Sequence, residues 1–237
     1  DSPREHSMLH ILRNTFLFAL IAVSLAGFIK PVSAKQNIDQ LHQIVNESHT
    51  SLQNFISDPN MGWFRSHVKN AKALYIVPRL VRAGFIFGGS GGSGILLARD
   101  DSKRSWSDPS FYTIGSVSWG LQLGVEAAEV MLMVMTNKGL DSMLSTKFQL
   151  GADASVAAGP VGAGAQAATV DILAFSRTKG LFGGLTMEGA VITSRDKWNS
   201  IYYGQSVSPV DILIRREVGN VNATALRRTL TQASGGS

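Results

Sequence analysis

Ile38, Leu41, Ile44, Val45, Leu52, Phe55 and Ile56 recur at steps of three and four, with Gln, Asn, Glu and His between them. That spacing predicts an amphipathic helix over 38–56. Asp58-Pro59-Asn60 breaks it. A second helical segment is expected from about Met61 to Ala73. In it Arg65, Lys69 and Lys72 follow at steps of four and three, so they would form one basic stripe.

From Leu74 onward the period shortens. β-Branched and aromatic runs alternate with Gly, Pro and Ser, predicting strands near 74–77, 84–87, 94–98, 111–117, 119–125, 129–135, 149–157, 170–176 and 185–193. Helices are expected near 138–145 and 210–217. Glycine within strand patterns marks bulges or close backbone approach. The expected fold class is α+β: N-terminal helices followed by a strongly bent, glycine-rich antiparallel sheet or barrel. Residues 152–168 are almost wholly Gly, Ala and other small residues, which suits either a tightly packed strand pair or a loop. The tail 220–237 has few apolar residues and is expected to be loosely ordered.

The first 34 residues stand apart. Met8 reads as a start, Arg13 as a basic flank, Thr15 to Ile29 as an apolar run, and Val32-Ser33-Ala34 as a small-residue cleavage site. This predicts an export signal and a mature chain beginning at Lys35. The run is shorter than the roughly 20 residues a bilayer span needs, although an uncleaved N-terminal anchor is the alternative. Asp1–Ser7 and Gly235–Ser237 read as additions outside the fold. The organisation expected is an extension and signal over 1–34, an amphipathic helical arm over 35–58, a main domain over 59–217 and a poorly ordered tail over 218–237.

At 237 residues and 44% hydrophobic, the chain can bury a sizeable core. Its formal net charge of +5 suits an anionic partner, and equally an ordinary soluble surface. There is no Cys, which excludes disulfides, thiolate catalysis and cysteine metal sites.

Gly89-Ser90-Gly91-Gly92-Ser93-Gly94 satisfies G-x-G-x-x-G. A dinucleotide site needs that loop to open a helix, and here it runs into Ile95-Leu96-Leu97, a strand pattern. The run is therefore expected to be a glycine hairpin. Gly162–Ala167 matches the looser form and is discounted for the same reason. No histidine follows His67, so a Ser-His-Asp site would have to borrow its base from the helical arm. His42 and His49 could share a face, but two ligands make no metal site, and none is expected. Glu126, Glu129, Asp153, Asp171 and Glu188 lie among apolar residues. Glu126 and Glu129 would point to opposite faces of one strand, and structural hydrogen bonding accounts for the set. No catalytic residue and no cofactor are expected. Arg65, Lys69, Lys72, Arg79 and Arg82 fall close together, with Trp63, Phe64 and Tyr75 among them. On pattern alone this suits a membrane surface and a solvated helix face equally. Nucleic acid is not an expected partner, given the small charge excess.

The stretch Ala71-Lys72-Ala73 through Pro78, Ala83-Gly84-Phe85 and the glycine run resembles the first block of the SYLF domain family of lipid-binding proteins. Trp106-Ser107-Asp108-Pro109-Ser110-Phe111-Tyr112 is similar to its Trp-Ser-x-Pro-x-Phe-Tyr block, and Gly120-Leu121-Gln122-Leu123-Gly124 to its Gly-x-Gln-x-Gly block. Leu150–Ala157, Gly159-Pro160-Val161-Gly162, Ser176, Lys179–Phe182, Glu188-Gly189 and Tyr202-Tyr203-Gly204 continue the order. Ser90–Ser93 departs from the usual aromatic or acidic turn residues. The resemblance covers about residues 56–213 and fits a standalone, exported, bacterial-type member. It implies non-enzymatic binding of anionic phospholipid at a membrane surface in the cell envelope, with Arg65, Lys69, Lys72, Arg79, Arg82 and Trp63 as the lipid-binding residues. The alternative is an envelope structural or protein-interaction module with a protein partner. Expected localisation is periplasmic or peripherally membrane-associated.

Overall fold

The computed structural model describes residues 37–84, 87–119, 124–161, 169–178 and 187–236. Residues 1–34, expected to be an export signal, the glycine match at 162–167 and most of the Gly-x-Gln-x-Gly block lie outside the described residues. Gln36–Ser237 form one compact unit, so the first helix belongs to the main body and is not a separate arm.

The first helix, α1 (Ile38–Ser57), starts at a capping box. Gln40 N–H donates to Asn37 Oδ1 at 2.9 Å, and Asn37 N–H donates to Gln40 Oε1 at 3.1 Å. Its buried face is Leu41, Val45, Ser48, Ser51, Leu52 and Phe55. Asp58 ends it and caps the next turn by accepting from Asn60 N–H at 2.9 Å. The expected long second helix is instead a short one, α2 (Gly62–His67), and a single 3₁₀ turn, Val68–Asn70. The chain becomes extended at Ala73, so Arg65, Lys69 and Lys72 share no continuous helix face.

Among the described residues nine strands follow: β1 (Ala73–Gly84), β2 (Phe87–Asp100), β3 (Ser105–Trp106), β4 (Ser110–Trp119), β5 (Gly124–Val134), β6 (Lys147–Gln149), β7 (Val156–Ala158), β8 (Ile172–Thr178) and β9 (Val191–Ser194). They form one strongly curled sheet, a half-barrel ordered β6-β9-β4-β2-β1-β5-β8-β7, with β3 beside β2. Every pairing is antiparallel except β7–β8, which is parallel, so the sheet is mixed where an all-antiparallel one was expected. Helices α3 (Asn137–Leu144), α4 (Asp196–Tyr203) and α5 (Thr224–Ala233) complete the body, with a π turn at Asp211–Arg215.

Part of the sheet, including residues 73–77 of β1, 95–98 of β2 and 130–134 of β5, is buried on both sides. One core contains Tyr75, Val77, Leu96, Tyr112, Val130, Leu132, Ile192 and Leu213. The other contains Leu74, Ile76, Ile95, Phe111, Met131, Met133 and Phe175, under Leu41, Leu52, Phe55, Phe64 and Leu226 of the helices. Each such large apolar side chain contributes about 1.5–3 kcal/mol on burial.

The glycine run is a strand and not a hairpin. Gly88–Gly94 lies inside β2, paired with β1 on one side and β4 on the other. The reason is a bulge in β1. Between Ile76 and Arg79 that strand advances three residues while β2 advances two, and the register to β5 slips likewise between Val77 and Leu80. Pro78 has no N–H to give a central ladder, and the bulge is where a central strand tolerates it. The bulged backbone then crowds β2. A Cβ on Gly94 would sit 2.3 Å from Ile76 O, and one on Gly92 2.8 Å from Arg79 O.

The tail is ordered, contrary to expectation. Leu226 and Leu230 are buried, Trp106 Nε1–H donates to Ser234 Oγ at 3.0 Å, and Arg227 lies 2.9 Å from Asp108. Two leucines one helical turn apart, with Ala223 at their head, are enough to seat α5 on the helical side of the sheet. Among the described residues no helix is long and apolar enough to cross a membrane.

A candidate binding groove beneath the first helix

The bulge decides where Arg79 points. Ahead of it the odd residues Ala73, Tyr75 and Val77 face one core, and the even residues Leu74 and Ile76 face the other. The extra residue reverses that parity, so Leu80 takes the place an odd residue would have held. Arg79 is thereby sent to the helix side, where it is exposed. There it lines a groove of about 770 Å³ between α1 and the sheet. Glu47, Thr50, Ser51 and Asn54 of α1 form one wall. Pro78 and Arg79 of β1, Ala127–Glu129 of β5 and Arg177 of β8 form the other.

A polar network links the two walls of the groove. Glu129 Oε1 accepts from Asn54 Nδ2 at 2.7 Å and Ser51 Oγ at 3.0 Å, and its Oε2 accepts from Arg177 Nη1 at 2.6 Å. Arg177 Nε donates to Asp58 Oδ2 at 2.9 Å. Burial alone would raise the Asp58 carboxyl, but the Asn60 N–H and the Arg177 guanidinium outweigh it and hold it below the ordinary carboxylate range. Arg177 also lies over the Phe55 ring, 5.9 Å from its centre. A single guanidinium thus ties α1, the following turn and β5 to β8.

The six residues expected from sequence do not form one patch. Arg65 donates from Nη1 to the carbonyls of Ile56 and Asp58, closing the end of α1. Trp63 stacks on His67, with centroids 3.9 Å apart and planes 3° apart, and packs toward Phe175. Lys69 is exposed. Lys72 pairs with Asp101 at 2.6 Å. Arg82 stands opposite Ser90 and Glu126 on the sheet face away from α1. Of the six, Arg79 is the one lining the groove.

Three of the five carboxylates named from sequence, Glu129, Asp153 and Asp171, have structural partners, whereas Glu126 and Glu188 are exposed. Glu129 is in the network above. Asp171 accepts from Thr136 Oγ1 at 2.6 Å and from Ser155 N–H and Oγ–H at 3.0 and 2.8 Å, which hold it far below the ordinary range. Asp153 accepts from Gln149 N–H at 2.7 Å. Glu126 and Glu129 do face opposite sides of β5, as alternation requires. Among the described residues no group of three His, Asp or Glu side chains is placed to hold a metal.

Sequence reasoning missed Arg177 and the polar flank of α1. Glu47, Thr50 or Ser51, and Asn54 recur at three- and four-residue steps, a stripe readable beside the apolar one. Nothing local marked Arg177, whose partners lie 48 and 119 residues away.

Comparison with known proteins adds the family. The family model described as "Ysc84: Las17-binding protein actin regulator" matches residues 115–233, just over half of the chain. LAS seventeen-binding protein 3 of Saccharomyces cerevisiae is 33% identical over 157 residues, which is 63% of this chain and 34% of that protein. Protein YSC84 of the same yeast is 33% identical over 157 residues, covering 63% and 33%. The human SH3 domain-containing YSC84-like protein 1 is 29% identical over 153 residues, covering 62% and 44%. The chain therefore spans less than half the length of the relatives it matches. With its ordered SYLF-like blocks and a family match over more than half its length, the chain belongs to the Ysc84, or SYLF, family.

Proposed function

We propose that this chain is a non-enzymatic protein-interaction module and that the groove beneath α1 is its docking site. The observation that carries this reading is membership of a family described by protein binding, joined to an open groove with an outward-aimed arginine. Las17 binding itself belongs to the relatives. Most of their length lies beyond the match. What carries over is the class of activity, recognition of another protein. The volume is within the usual 300–1,000 Å³ of binding clefts, and Glu129 and Arg177 tie its two walls together.

The test is photo-cross-linking in the native host from a benzoylphenylalanine placed at Thr50, against the same probe at Val221. A discrete protein adduct from position 50, absent from 221, is expected. Adducts of equal pattern from both sites, or only lipid adducts, would overturn the reading.

Anionic phospholipid is the second reading. Lys69 and Arg79 favour it, being exposed and without an ion pair among the described residues. Co-sedimentation with anionic vesicles that is lost in Lys69→Glu/Arg79→Glu would support it. Residues 1–34, read as an export signal, would place the module in the cell envelope. Mass spectrometry of the exported protein is then expected to find Lys35 at its N-terminus, and an intact residue 8–34 segment would contradict this.

A further inference from the structure

The groove's polar groups are mostly committed to one another. Glu129 accepts three hydrogen bonds, Arg177 binds Glu129 and Asp58, Thr50 Oγ1–H donates to Asn46 O at 3.2 Å, and Glu47 accepts from Gln43 at 2.7 Å. Arg79 is different. Its guanidinium has no hydrogen bond or ion pair with another described residue, although it lines the same groove. Three sequence choices put it there. Pro78 suits the bulge, and Gly92 and Gly94 leave room for the bulged backbone. Without that extra residue, alternation would turn position 79 toward the core of Tyr75 and Val77. Bulges re-aim side chains in this way beside functional sites.

We propose that Arg79 is the anchoring contact for a carboxylate, supplied by an Asp or Glu side chain of the partner's docking segment. This rests on the protein-docking reading above and names the chemistry that reading leaves open. A guanidinium with every donor free takes a carboxylate through two parallel hydrogen bonds. Ala127, exposed on the helix side of β5, leaves the sheet wall low enough for an extended segment to lie against it. Glu47, on the helix rim, is the opposing charge. It disfavours an acidic ligand on its own side, so the carboxylate seats at the β1 rim.

The test uses the full chain and two blocked peptides, Glu-Ser-Glu-Ser-Glu and Gln-Ser-Gln-Ser-Gln, at fixed ionic strength, followed by NMR. The acidic peptide is expected to shift the Arg79 Nε–Hε signal and the amides of Thr50 and Ala127. Arg79→Gln is expected to weaken its binding about tenfold, Arg79→Lys less, and Arg82→Gln not at all, while Glu47→Gln tightens it. Equal binding of the neutral peptide, or equal losses in Arg79→Gln and Arg82→Gln, would overturn the proposal. A shift of Arg79 by phosphatidylglycerol vesicles and not by the acidic peptide would also overturn it, in favour of lipid. Peptide binding through Arg79 without any protein cross-link from position 50 would retain the carboxylate site and remove the docking reading; the reverse outcome would do the opposite.

Discussion

At the residue scale, glycines on the neighbouring strands β2 and β4 carry unequal constraints. Gly94→Ala puts a methyl 2.3 Å from Ile76 O, where the neighbour is backbone and cannot yield. It is expected to lower stability by about 3 kcal/mol in urea unfolding. Gly115→Ala meets its nearest atom at 3.7 Å and is expected to stay within about 0.5 kcal/mol of the parent. Equal effects of the two would contradict the bulge account. Arg177→Ala leaves Glu129 and the 9%-exposed Asp58 side chain without their cation. A loss of about 2 kcal/mol is expected, with Lys restoring only part of it because a single ammonium cannot span both carboxylates.

At the scale of elements, Asp171 joins the strand β8 to the cap of α3 and to the segment before β7. Its side chain takes Thr136 Oγ1–H, whose oxygen in turn caps α3 by accepting from Gly139 N–H at 3.0 Å. Because its folded-state value is depressed, its stabilisation is fully present above the unfolded-state value of about 4 and is lost as pH falls below it. Asp171→Asn is therefore expected to destabilise at pH 7 and to flatten the loss of stability between about pH 4 and pH 2. An unchanged acid profile would contradict the role. Removing α5 by ending the chain at Ala223 is expected to uncover Trp106, which is fully buried, and to red-shift its fluorescence. The helix α1 was legible because its apolar period is long and capped, and the opening of β1, residues 74–77, because Tyr75, Ile76 and Val77 favour a strand; its continuation past Pro78 to Gly84 was not. The helix α5 was not, since its buried positions are two leucines and alanines in an otherwise polar run. The glycine run misled for a related reason: local composition signals a turn, while the demand for small residues came from a bulge in the neighbouring strand.

At the scale of the molecule, the α+β class and the bent sheet follow from the pattern of the chain, and the ordered blocks identified the family. The groove did not follow, because it is made by pieces of α1, β1, β5 and β8 brought together by sheet order. A basic cluster in sequence became six residues with separate tasks: Arg65 at a helix end, Trp63 in a stack, Lys72 in an ion pair, Arg82 on the far face, Lys69 on the surface and Arg79 in the groove. The central claim is that a protein segment occupies that groove. It is tested most directly by the yield of the protein cross-link from position 50 in the full chain, with and without Ala127→Trp, a substitution on an exposed wall residue that fills the groove. The account predicts that the adduct disappears in Ala127→Trp while the fold, read by circular dichroism, is unchanged; an adduct of undiminished yield would contradict it.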